Sequence, residues 1–204
     1  MTLVNRRDLT FVAFGDSVTL GARAKSGATP GVADWETFHY RTWNRLLQSR
    51  RAGTRNAGVG GDDTALALTR FSADVLAYRP DLVTVMFGIN DSWHDAGAGV
   101  GAARVALSAY ETNLTSIVSQ LMDAGARVLV CTPNKMSDAP RDADMAPYVV
   151  KARDVAAATG ASLVDVYAAF DANPSFAADW LLDSMHPRGT GHAQIASLIA
   201  VAVP

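Results

Sequence analysis

The sequence predicts an α/β domain, with helices on both faces of a central parallel sheet of five strands, and three observations predict it. Short apolar runs rich in β-branched residues recur along the chain. Runs of that kind suit strands covered on both faces. They alternate with longer segments of helical period, the pattern of right-handed strand–helix–strand crossovers. The length of 204 residues is comfortable for a single domain spanning residues 1–204 and short for two.

In chain order, Leu9–Phe14 reads as a first buried strand. Trp35–Arg51 reads as a helix, with Trp35, Phe38, Trp43, Leu46 and Leu47 near one stripe. Thr54–Ala57 is a weaker second strand. Thr64–Ala77 is a helix with Leu68, Phe71 and Val75 at helical spacing. Asp81–Phe87 is a strong third strand. Ala102–Ala124 is the clearest helix: Tyr110, Leu114, Ile117, Val118 and Leu121 share one face, and Gly125 stops it. Arg127–Thr132 is a fourth strand. Ala146–Ala158 is a helix ended by Gly160, Ser162–Val166 a fifth strand, and Thr190–Val201 a closing helix. Gly27–Ala33 and Ala96–Ala103 read as loops.

Hydrophobic residues make up 49% of the chain and charged residues 19%, an ordinary globular mixture. Lys plus Arg total 18 against 20 for Asp plus Glu. The net charge of −2 gives no electrostatic ground for nucleic acid or an anionic membrane as a partner. The single cysteine, Cys131, excludes an intramolecular disulfide and reads as a small core residue. No apolar segment approaches the ~20 residues of a membrane span. The run behind Arg6 and Arg7 is short for a signal peptide, so the expected location is the cytoplasm.

In such sheets ligands bind beyond the carboxyl ends of the strands. The first strand runs into Gly15-Asp16-Ser17, where glycine permits a sharp turn. The second runs into Asn56-Ala57-Gly58-Val59-Gly60-Gly61-Asp62, whose glycines let backbone N–H groups approach a ligand, as an oxyanion hole requires. Asp63 can cap the helix that follows. The third strand runs into Gly88-Ile89-Asn90-Asp91, where Asn90 offers an amide donor. Near the C-terminus stands Asp183-Ser184-Met185-His186-Pro187. A serine hydroxyl needs a base, and a histidine needs an acceptor on its far nitrogen; an Asp three residues away supplies one locally. A second Asp-x-x-His, Asp91 to His94, follows Asn90. Asp183–His186 is preferred because it precedes the closing helix, where a loop can reach the first strand. His39 and His192 read as helical residues with structural or exposed roles.

Together these blocks, in the order Ser, Gly, Asn, Asp-x-x-His, resemble the SGNH hydrolases, the GDSL esterase/lipase superfamily, over nearly the whole chain from Phe14 onward. The resemblance implies a flavodoxin-like three-layer α/β/α fold and a carboxylic ester hydrolase that needs no cofactor or metal. It makes Ser17 the nucleophile, His186 the base and Asp183 its partner. The oxyanion donors would be the Ser17 N–H, the Gly61 N–H and the Asn90 amide, with Gly60 beside Gly61 as the alternative donor. Val18 stands where many members have leucine.

Two rival classes follow from the same residues. Asp16, Asp62, Asp63, Asp91 and His94 could form an oxygen-rich site for a hard cation in a phosphoesterase. The fold could also serve as a binding module without turnover. The expected substrate is a small-molecule ester with a short acyl group, such as acetyl on a carbohydrate or small alcohol; lysophospholipase or thioesterase activity is the alternative. The loops Ala22–Asp34, Trp93–Gly101 and Asn134–Met145 are not strongly apolar and are where specificity is expected. Trp93 reads equally as a sugar-stacking or a packing residue.

Overall fold

The computed structural model describes residues 8–21 and 51–203. Within them, strands β1 (Asp8–Gly15), β2 (Arg51–Gly58), β3 (Leu82–Met86), β4 (Arg127–Cys131) and β5 (Ser162–Val164) form one sheet in the order β2-β1-β3-β4-β5. Every pairing is parallel. That order is the flavodoxin-like one, so the expected three-layer α/β/α architecture holds.

The register sets up the functional edge. Gly58, Gly15, Met86, Cys131 and Val164 lie side by side across the sheet. The strands therefore end level with one another, and the loops that follow them leave from a single edge.

Both faces of the central strands β1, β3 and β4 are covered, which is why those strands are apolar on both sides. Val12, Phe14, Val83, Val85, Val128 and Val130 pack with helices α2 (Thr64–Asp74), α3 (Leu107–Asp123) and part of α4 (Ala139–Thr159). The alternating residues Phe11, Ala13, Leu82, Met86, Leu129 and Cys131 pack with α5 (Val166–Asp171), α7 (Gly189–Ala202) and the remainder of α4. Cys131 is buried there, a core residue as expected. Short helices α1 (Ser17–Leu20) and α6 (Phe176–Trp180) complete the described elements. Among the described residues no helix is long and apolar enough to cross a membrane.

Several boundaries differ from the sequence reading, each for a local reason. Helix α3 starts at Leu107, not Ala102, because the amides of Arg104 and Val105 are taken by the carbonyls of Trp93 and Asp91. Helix α4 starts at Ala139, well before Ala146, so most of the expected Asn134–Met145 loop is helix. Pro140 sits in its first turn, where a missing N–H costs nothing, and Asp138 caps it by accepting from the Arg141 amide. Strand β5 stops at Val164 because Asp165 turns to cap α5. The expected helix Trp35–Arg51 lies outside the described residues except for Arg51, which begins β2. The Ala22–Asp34 loop and His39 also lie outside them.

Gly15 is required by close approach. A methyl group added there would sit 2.6 Å from the Met86 carbonyl oxygen of β3 and overlap the Thr19 hydroxyl of α1. Gly15→Ala should destabilise the protein by roughly 1–3 kcal/mol, as overpacking does. Thermal melting would show a midpoint several degrees lower, and an unchanged midpoint would contradict the packing described.

Candidate active site

Ser17 opens α1 directly past the end of β1. Asp16 caps that helix: its Oδ1 accepts the Val18 N–H at 2.8 Å. The cap fixes where the Ser17 side chain emerges.

The partner arrives from the far end of the chain. Leu181 and Pro187 form an isolated antiparallel bridge, and the Leu182 N–H donates to the His186 carbonyl at 2.8 Å. The bridge folds Asp183–His186 into a tight loop. The first Asp183 oxygen accepts the Met185 and His186 amides at 2.9 and 2.8 Å, and the second accepts from His186 Nδ1 at 2.9 Å. Burial raises the Asp183 carboxyl, but the His186 and Met185 amides and the imidazole outweigh burial and hold it below the usual carboxylate range. With Nδ1–H donated to Asp183, Nε2 is left as an acceptor. It lies 3.1 Å from Ser17 Oγ. Two groups 169 residues apart therefore meet, as the sequence order predicts.

The loop after β4 steadies this arrangement. Asn134, fully buried, donates from Nδ2 to the Met185 carbonyl at 2.9 Å, and the Ser137 amide donates to the Ser184 carbonyl at 2.9 Å. The sequence reading passed over Asn134. Its signal was its place past a strand's carboxyl end, the rule that singled out Asn90.

The other predicted donors lie on the same edge. Val59–Asp62 forms a turn closed by the Asp62 amide on the Val59 carbonyl, and Gly61 sits at φ +84°. That left-handed conformation favours glycine and distinguishes Gly61 from Gly60. Asn90 Nδ2 donates to the Asp62 carbonyl at 2.9 Å, which ties the Asn90 turn to the residue after Gly61. Nδ2 keeps a second hydrogen for another acceptor.

Arg70 on α2 joins these segments, and the sequence reading missed it. Its Nη2 donates to the Gly15 carbonyl at 3.2 Å and its Nη1 to the Ala57 carbonyl at 2.9 Å. Its Nε pairs with Asp62 at 2.6 Å, and its Nη1 with Asp74 at 3.1 Å. One guanidinium thus holds the ends of β1 and β2 together with the glycine loop. The Arg70 and Asp74 i,i+4 spacing was the available sequence signal.

The second Asp-x-x-His does not form a pair. Asp91 Oδ1 accepts from the Thr64 amide at 2.9 Å and the Thr64 hydroxyl at 2.5 Å. His94 Nδ1 faces the carbonyls of Val100 and Gly101 instead. The acids considered for a cation are committed as well: Asp62 to Arg70, Asp63 to capping α2, Asp16 to capping α1. His192 is buried on α7.

A flavodoxin-like sheet with a serine, histidine and aspartate in line at its carboxyl edge places the molecule among α/β hydrolytic enzymes. The comparisons with known proteins are more specific. The GDSL-like lipase/acylhydrolase family profile matches residues 13–194, and the chain belongs to that family. It is a carboxylic ester hydrolase. An acetylxylan esterase of Geobacillus stearothermophilus is 29% identical over 194 residues, 89% of this chain and 88% of that one. An uncharacterized lipoprotein of Bacillus subtilis is 31% identical over 127 residues, 59% of this chain and 46% of that one. The solved structure of an α/β-hydrolase enzyme from the Lake Arreo metagenome, 29% identical, superposes with a TM-score of 0.79 over 95% of this chain and 94% of its own.

Burial carries the Asp16 carboxyl from its ordinary 3.8 up to about 7, opposed by the Val18 amide and helped by the charges of Asp91 and Asp62. Burial also raises Asp91 to about 6 against its Thr64 hydrogen bonds. A carboxyl raised on folding holds its proton more tightly when folded. Its stabilising contribution is complete below the unfolded value of 3.8 and is lost as pH rises through about 7. Asp16→Asn keeps an oxygen for the cap and removes the charge. Its melting temperature relative to the parent should therefore rise between pH 4.5 and pH 8; an equal difference at both pH values would contradict this.

Proposed function

We propose that the protein removes a short acyl group, acetyl above all, from a hydroxyl-rich alcohol such as a carbohydrate, through an acyl-enzyme on Ser17. The observation that carries this reading is the line Ser17 Oγ, His186, Asp183, with contacts of 3.1 and 2.9 Å. His186 Nε2 takes the hydroxyl proton as Oγ attacks the ester carbonyl. Asp183 stabilises the imidazolium that forms. The Ser17 N–H, the Gly61 N–H and the free Asn90 amide hydrogen stabilise the tetrahedral oxyanion. Collapse breaks the ester C–O bond, and His186 returns the proton to the leaving alcohol. Water then attacks the acyl-enzyme by the same route, releasing the acid and restoring Ser17.

The acetyl-carbohydrate preference draws support from the acetylxylan esterase relative, which is similar over most of both chains. It also draws support from the polar Arg141–Trp93 stack, whose Trp93 belongs to the turn that carries Asn90. The alternative, a lysophospholipase or thioesterase, calls for a longer apolar acyl site.

Ser17→Ala and His186→Ala should each lower p-nitrophenyl acetate turnover by at least about 10³-fold in folded protein. Asn90→Ala should cost on the order of 10²–10³-fold. His94→Ala should keep most activity, and excess EDTA should leave the parent active. An inactive His94→Ala beside an active His186→Ala would overturn the assignment of the base. Across p-nitrophenyl esters of increasing chain length, kcat/KM should be highest for acetate; a maximum at a long acyl chain would favour the alternative.

A further inference from the structure

The reaction just described leaves one well-placed pair of side chains unused. Arg141, in the first turn of α4, lies over the ring of Trp93 with its guanidinium carbon 3.4 Å from the ring centroid. A planar guanidinium laid on an indole is held by cation–π attraction and stacking, with its N–H groups pointing outward in its own plane.

Both members are tied to the site. The Trp93 amide donates to the Asn90 carbonyl at 3.2 Å, so Trp93 belongs to the turn that presents Asn90. Arg141 follows the segment whose Ser137 amide and Asn134 side chain hold the Ser184 and Met185 carbonyls of the base loop. The stack thus bridges the oxyanion side of the site to the base side.

The guanidinium donors of Arg141 have no partner among the described residues. Arg70, Arg104 and Arg153 each grip a carboxylate. Among the described residues, the Arg141 guanidinium takes part in no hydrogen bond or ion pair and rests only on Trp93. Its surroundings are not cationic overall. Asp95, which feels both Arg104 and Arg141, stands near, and Asp138, Asp142 and Asp144 flank Arg141 in sequence. An anionic ligand would meet the Asp95 carboxylate, whereas neutral hydroxyl, ether and carbonyl oxygens can accept from the N–H donors without that repulsion.

We propose that the Trp93–Arg141 stack recognises the alcohol half of the ester, with Arg141 donating hydrogen bonds to the oxygens of a neutral, polyhydroxylated leaving group. The proposal rests on the esterase reading above. It assigns the sugar contact to the edge of Arg141, since Arg141 covers one face of Trp93.

The test compares parent, Arg141→Ala and Arg141→Lys on partially acetylated xylotriose and on p-nitrophenyl acetate. Lysine keeps the charge but has no planar donor fork. The ratio of kcat/KM for the sugar ester to that for the aryl ester should fall about 10-fold in both variants, as expected for one or two lost hydrogen bonds, with the change in KM for the sugar ester. An unchanged ratio in both variants, or a fall confined to kcat, would overturn the proposal. A parent that cleaves the aryl ester and ignores the sugar ester would overturn it while leaving the esterase mechanism standing. A parent that cleaves neither would remove the mechanism beneath it.

Discussion

The arrangement depends on one constraint: a hydroxyl at residue 17 and an imidazole at residue 186 share a hydrogen bond only if both are delivered to the same edge of the sheet. Parallel pairing delivers them. With Gly58, Gly15, Met86, Cys131 and Val164 abreast, each strand hands its loop to one side. The tight Leu181–Pro187 loop then fixes the imidazole locally, and Asn134 and Ser137 hold that loop from the end of β4. The 3.1 Å contact is thus the sum of one register and two short tethers.

Placing many polar groups at that edge has an electrostatic consequence. Asp16 and Asp91 are both almost fully buried, and each has a carboxyl displaced upward by burial. Asp16 caps the helix that carries Ser17, and Asp91 holds Thr64 at the start of α2. Each shapes the site through hydrogen bonds that favour the charged carboxylate, and in each the cost of burying that charge outweighs them. Arg70 adds a charge of the opposite sign at that edge, pairing with Asp62 while binding two strand-end carbonyls. A half-buried cation with several acceptors holds its neighbours more firmly than a neutral side chain of the same size would.

The centre of the sheet was legible because β1, β3 and β4 are short, apolar and covered on both faces. Leu9–Phe14 and Asp81–Phe87 differ from the observed strands only at their ends. The Ser17, Asn90 and Asp183–His186 motifs were legible because each lies where a strand or a short loop must present it. Helix α4 begins seven residues before the expected Ala146, with Pro140 in its first turn and Pro147 tolerated within it. Helices α1, α5 and α6 are too short to show a period. Arg70, Asn134 and the Trp93–Arg141 stack were hidden for a different reason. Their roles come from which carbonyl, carboxylate or ring stands opposite in space, and sequence spacing does not encode that.

The central claim is that His186 makes the Ser17 hydroxyl a nucleophile. Exposure to a fluorophosphonate, followed by peptide mapping by mass spectrometry, tests it most directly. The account predicts a single phosphonyl adduct on the Ser17 peptide, formed in step with loss of esterase activity, and labelling slowed by orders of magnitude when His186 is replaced. An active enzyme that resists the reagent, or an adduct on any other residue that accounts for the inactivation, would contradict it.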